Sequence, residues 1–148
     1  MLRLGSTADI EIVKSLTGEA YARYLALLGA EPIPVTDDDA PRIARGEIWL
    51  FEINGVCAGL AVLERHKNHA MLISIAVSPA HQGRRHGGTI LRWVEAKAQE
   101  WQLPELRLHT NARTMRNIAI YKGFGFQGRR PSPYRPGSTI VDMTKAMA

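Results

Sequence analysis

The stretch Val77-Ser78-Pro79-Ala80-His81-Gln82-Gly83-Arg84-Arg85-His86-Gly87-Gly88-Thr89-Ile90-Leu91 most constrains what this chain can fold into. The apolar run Met71 to Val77 leads into it, and a helical pattern from Thr89 to Trp101 leads out. In that pattern Leu91, Val94, Ala98 and Trp101 form one stripe, and Pro104 prevents its continuation. The amides at the start of a helix have no partner within the helix and point one way. Glycines let a backbone pass close to a ligand, and a nest of amides binds anionic oxygens. The stretch reads as a cradle for a phosphorylated cofactor, against the plainer reading of a surface turn with chance basic residues.

At 148 residues the chain is expected to form one domain, 1–148, large enough for a real core. Apolar residues make up 45% and charged ones 22%, which argues for a globular protein and against disorder. No apolar run reaches about 18 residues, so no membrane span is expected. Met1 to Ser6 has no long apolar region, and the single cysteine, Cys57, excludes an internal disulfide. A cytoplasmic location is the expectation. The net charge of +5 favours an anionic partner. The densest basic groups, Arg84-Arg85-His86 and Arg129-Arg130, form no continuous face interleaved with aromatics, so nucleic acid is not the expected partner.

Leu2 to Leu4 reads as a strand. Thr7-Ala8-Asp9 starts a helix with Ile10, Val13, Leu16 and Thr17 at helical spacing, and a second helical stretch runs from Glu19 to Leu28. Pro32 and Pro34 mark a loop, and Asp37-Asp38-Asp39 caps a short helix ending at Gly46. Glu47 to Ile53 alternates as a strand, Asn54-Gly55 signals a type I′ hairpin, and Val56 to Leu63 is the returning, central strand. After the turn His66 to His69, Ala70 to Val77 feeds the glycine-arginine loop. Leu106 to His109 is a further strand, and Thr114 caps a helix from Met115 to Lys122. Phe126 opens a short strand, Arg129 to Gly137 carries three prolines and reads as loop, and Thr139 to Met147 is the last strand. The order is mixed α/β.

Two motifs together resemble the GNAT family of N-acetyltransferases. Residues 77–87, above, are similar to the family's strand-then-loop signature Q/R-x-x-G-x-G/A. Thr110-Asn111-Ala112-Arg113-Thr114-Met115-Arg116-Asn117-Ile118-Ala119-Ile120-Tyr121-Lys122-Gly123-Phe124-Gly125-Phe126 is similar to its N-x-x-x-Y-x-x-x-GF segment. The element order fits, so the resemblance covers nearly the whole chain. It implies the acyl-CoA N-acyltransferase fold, of mixed α+β class. That fold has a twisted, mostly antiparallel sheet of about seven strands, splayed between strands 4 and 5 and flanked by about four helices. One departure stands out: Arg85 occupies the position of the first signature glycine. If the backbone there needs positive φ, arginine costs about 1 kcal/mol, while its guanidinium adds a phosphate contact.

The resemblance implies acetyl-CoA as donor and a primary amine of a small molecule or peptide as acceptor. It implies cofactor contacts from Ile75, Ala76, Val77, Gln82, Gly83, Arg84, Arg85, His86, Gly87, Gly88, Thr89, Asn117 and Tyr121. A backbone N–H near Val77 would stabilise the oxyanion. Tyr121 is the implied acid for the departing thiolate; the alternative is a core aromatic with a wet hydroxyl. The amine also needs a proton acceptor. The fourth strand, Met71 to Val77, has no carboxylate, and His109 is the best candidate, against a half-buried histidine bonded to backbone. Glu64, Ser74, Tyr134 and a water relay remain open. Tyr21, Tyr24 and Tyr134 are the implied acceptor walls. Glu31, Asp37, Asp38 and Asp39 either attract a cationic amine or form a solvated capping run. Cys57 reads as a small buried hydrophobe rather than an acyl carrier, and no metal is expected. A homodimer stays open. The competing reading is a non-catalytic CoA-binding sensor or partner module of the same fold.

Overall fold

Every apolar or alternating run becomes a strand of one sheet in the computed structural model. The structure describes residues 2–28, 39–81, 85–111, 115–131 and 140–147, with backbone alone at 21, 23–28, 111, 115–117, 129–131 and 140–141. The elements are β1 (Leu2–Leu4), α1 (Ile10–Leu28), α2 (Asp39–Ala44), β2 (Ile48–Ile53), β3 (Val56–Arg65) and β4 (Ala70–Val77), then α3 (His86–Glu100), β5 (Glu105–Asn111), α4 (Met115–Gly123), β6 (Gln127–Pro131) and β7 (Ile140–Ala146). The strand order is β1-β2-β3-β4-β5-β7-β6. Neighbours are antiparallel except β4 and β5, which are parallel because α3 carries the chain back across the sheet.

Local chemistry explains the joins. Asn54 (φ 52°) and Gly55 (φ 79°) both adopt the left-handed conformation that a type I′ turn between β2 and β3 requires. His66 N–H donates to His69 O at 2.9 Å and closes the β3–β4 turn. Two expectations are corrected. The two helical stretches before residue 28 are one helix, α1, which runs through Gly18. A mid-helix glycine costs about 1 kcal/mol, less than burying Val13, Leu16 and Ala20 on either side of it returns. Arg129 to Pro131, read as loop, belong to β6. β6 is an edge strand, and Pro131 is its last residue, where a missing N–H is tolerated. The expected loop and capping residues 29–38 and 132–139 lie outside the described residues.

Two apolar cores lie on opposite faces of the sheet. Ile90, Leu91, Val94 and Ala98 of α3 pack with Leu106 and Leu108 of β5 and with other strand residues of that face; Ile118, Tyr121 and Phe124 from the α4 segment join them. On the other face, Val13, Leu16 and Ala20 of α1 and Ile43 of α2 pack on Ile48, Leu50 and Leu60. Among the described residues no helix is long and apolar enough to cross a membrane.

Candidate active site

The parallel pair β4–β5 is short. Its ladder holds Ala70↔Leu106, Met71↔Arg107 and Leu72↔Leu108. Beyond it β4 runs on to Val77 paired with β3, and β5 runs on to Asn111 paired with β7. The strands part at a β-bulge. The β3–β4 register passes from Leu63↔Leu72 to Val62↔Ser74, which leaves Ile73 as an extra residue on β4. A bulge bends its strand and shifts its faces. Accordingly Leu72 and Ile75, three apart, both serve the α3-side core, while Ile73 and Ala76 pack on the α1 side.

The pairing also fixes where β4's backbone points. Ser78 N–H donates to Ala58 O at 2.8 Å, so 58 and 78 form a hydrogen-bonded pair. In an antiparallel ladder such pairs alternate, which makes Leu60↔Ala76 bonded and Gly59↔Val77 and Ala61↔Ile75 the intervening pairs. The N–H and C=O groups of Ile75 and Val77 are thereby directed to the β5 side. Those of Ala76 are directed to β3, and its side chain is buried.

Past β4, a 3-10 turn at Pro79–His81 leads toward α3. Arg85 caps α3 with φ 62° and ψ 20°, the left-handed conformation anticipated for the glycine position. The Arg85 side chain is exposed. Thr89 N–H and Thr89 Oγ1 both donate to Arg85 O, so the threonine hydroxyl is spent inside the helix. A Cβ at Gly87 would meet nothing within 4 Å, so there is room outside the first turn. His86 lies between Phe51 and His81, with ring centroids 5.5 and 6.3 Å away. Gln82, Gly83 and Arg84 lie outside the described residues.

Tyr121 sits on α4, half-buried against the α3-side core, edge-on to Phe126 at 5.9 Å. Asn117 is four residues earlier on the same helix; its side chain lies outside the described residues. His109 follows Leu108, the last residue of the β4–β5 ladder. Leu106 and Leu108 face the α3 side, so alternation turns His109 to the opposite face. Tyr121 and His109 therefore lie on opposite faces of the sheet. His109 is not held by backbone through Nδ1; that nitrogen donates to Oδ1 of Asp142 on β7, the residue directly opposite in the ladder. Asp142 is the partner of His109 that sequence reasoning missed, because only the β5–β7 register brings the two together.

Other candidates are placed differently. Glu64 bonds Arg42 at 2.7 Å and His66 at 2.8 Å near the far end of β3. Burial pushes its carboxyl up, but those partners outweigh it and leave it below its usual range, a poorer base. Ser74 is buried, 4% exposed, beside the bulge. Cys57 is half-buried rather than buried, its Sγ 3.5 Å from Gly59 O, and desolvation raises its thiol, which disfavours a nucleophilic thiolate. Tyr21 and Tyr24 lie on α1, with side chains outside the described residues, as is all of Tyr134. Among the described residues no group of three or more His, Cys, Asp or Glu is placed to hold a metal.

A mixed sheet that parts between parallel strands, beside an amide-lined helix start, defines the acyl-CoA N-acyltransferase class of fold. The family model for the acetyltransferase (GNAT) family matches residues 15–126. The chain belongs to that family and is an acetyl-CoA-dependent N-acyltransferase. Solved structures share its fold. PaiA N-acetyltransferase from Thermoplasma acidophilum, in complex with coenzyme A, is 17% identical with a TM-score of 0.83, over 99% of this chain and 98% of that one. The ribosomal-protein-S18-alanine N-acetyltransferase from Escherichia coli is 20% identical with a TM-score of 0.78, over 100% and 94%. YncA from Salmonella typhimurium, with its cofactor acetyl-CoA, is 20% identical with a TM-score of 0.72, over 100% and 94%. No curated protein matches the chain in sequence.

Proposed function

We propose that the chain works as one domain over 1–148 and acetylates a primary amine of a small molecule or peptide by direct attack, with donor and acceptor bound together. The observation that carries this reading is the direction of the Ile75 and Val77 backbone groups toward the side where β4 and β5 part. Those groups suit the amides of a pantetheine arm laid beside β4, and the start of α3 with Arg85 suits the phosphates. Gln82, Gly83, Arg84, His86, Gly87, Gly88 and Asn117 complete the proposed donor seat, and Thr89 contributes its place in the first turn of α3 rather than its donors. Ala76 contributes its place in the strand rather than its backbone groups.

When bound, acetyl-CoA supplies an electrophilic thioester carbonyl and a thiolate leaving group. Val77 N–H stabilises negative charge on the carbonyl oxygen. His109 receives a proton from the amine on the α1-side face, and Tyr121 gives its phenolic proton to sulfur from the α3-side face. Tyr21, Tyr24 and Tyr134 wall the acceptor pocket. β4 itself carries no carboxylate, so the proton acceptor is supplied from another strand. A screen of alkylamines, lysyl peptides and α-amino peptides, read by thiol release from acetyl-CoA, tests the acceptor class. Release with none of them would refute a primary amine of these kinds as the acceptor.

A further inference from the structure

We propose that Asp142 is a positioning residue that fixes the tautomer of His109 and so makes its Nε2 the proton acceptor for the amine. The inference rests on the reading of His109 as base and adds the group that prepares it. Three observations support it. His109 and Asp142 are register partners, inside a β5–β7 ladder that is unbroken from Glu105↔Ala146 to Asn111↔Ile140. The bond joins Nδ1 to Oδ1. The pair stands one residue beyond the end of the β4–β5 ladder, at the lip of the parting.

The chemistry follows from donor and acceptor inventories. A carboxylate only accepts, so Nδ1 carries the ring proton and the lone pair resides on Nε2. A histidine whose tautomer is set in this way is oriented as well as primed, the logic of any base held by a third group. Among the described residues, the nearby cations pair elsewhere than with Asp142. Arg107, two residues back on the same face, donates through Nε to Glu105 at 2.8 Å. Lys145 of β7 faces the α3 side and pairs with Glu95 at 3.0 Å. β4 offers Met71 and Ile73 near this face, neither of them titratable. The carboxylate missing from β4 is thus supplied two strands away, acting through an imidazole.

The step balances. The amine nitrogen bonds to the acetyl carbon, and its N–H proton passes to His109 Nε2. The carbon–sulfur bond breaks, and sulfur takes the Tyr121 proton. The imidazolium then returns its proton through solvent to the tyrosinate, which restores both groups.

The test compares wild type with Asp142→Asn, Asp142→Glu and His109→Gln. Readouts are kcat and KM with the fastest amine of the panel above, ¹⁵N-NMR of the histidine rings, and thermal unfolding. In wild type the spectrum should show His109 protonated at Nδ1. Asp142→Asn should abolish that preference and lower kcat about a hundredfold, with KM for acetyl-CoA within about twofold. Asp142→Glu, which keeps a carboxylate, should recover about tenfold of the loss. A lowered melting temperature in Asp142→Asn with kcat unchanged would reduce the pair to a cross-strand tie and overturn the proposal. So would a wild-type ring protonated at Nε2. If Asp142→Asn shifts the tautomer but His109→Gln retains wild-type kcat, the assignment of His109 as base has failed, and the proposal with it.

Discussion

Gly59 and Gly18 should respond to the same substitution with opposite signs. Gly59 lies opposite Val77, at the end of β4 where the proposed donor seat begins. A Cβ there would stand 2.8 Å from Ala76 O and 3.0 Å from Ile90 Cδ1. Neither neighbour yields cheaply, because the Ala76 carbonyl is directed into the β3–β4 ladder and Ile90 is fully buried in the α3-side core. Gly59→Ala should cost about 1–3 kcal/mol through overpacking. For a chain of this size that lowers the melting temperature by roughly 3–12 °C. Because the displaced atom belongs to β4, KM for acetyl-CoA should rise as well. In Gly18→Ala the new Cβ meets nothing within 4 Å inside helix α1. It should stabilise by about 0.5–1 kcal/mol. Thermal melts followed by circular dichroism read both. A Gly59→Ala protein as stable as wild type would refute the claim that β3, β4 and α3 meet closely at this point.

Three further outcomes follow from the same geometry. Tyr121→Phe keeps the ring against Phe126 and removes only the hydroxyl, so kcat should fall about a hundredfold while KM for acetyl-CoA and the melting temperature hold; unchanged kcat would remove Tyr121 from the chemistry. Arg85→Gly relieves a left-handed arginine and should stabilise by up to about 1 kcal/mol, yet weaken acetyl-CoA binding in calorimetry by loss of a cation; lower stability would contradict the strain argument. Hydrogen bonds from the Arg3 guanidinium, then from Ser6, hold the Asp9 carboxyl well below its usual range. A depressed carboxylate stabilises fully above its unfolded value of about 3.9 and loses that contribution as pH falls below it, so the melting-temperature gap between wild type and Asp9→Asn should be full at neutral pH and narrow below about pH 4.

The sequence announced the elements whose signals are local. Asn54-Gly55 fixed a hairpin, Pro104 ended a helix, and the glycine-arginine loop marked a strand-to-helix join. It also flagged Arg85 as a residue under backbone strain, which the positive φ bears out. Non-local features were hidden. Met71 to Val77 is apolar but for Ser74, with no glycine to betray the bulge at Ile73. Asp142 sits in an alternating strand 33 residues from His109, and nothing short of the β5–β7 register joins them. Pro131 read as a loop former because edge position, the condition that tolerates it, is a property of the sheet order. The stretches before and after Gly18 read as two helices because local spacing was weighed without the core that joins them.

Isothermal titration of the full chain with acetyl-CoA, and separately with adenosine, bears most directly on the parted strands as a donor seat. Saturable one-to-one heat with acetyl-CoA, and little with adenosine, which lacks phosphates and pantetheine, is the expected result. No heat at about millimolar acetyl-CoA would contradict it, since cosubstrate affinities ordinarily lie below that concentration.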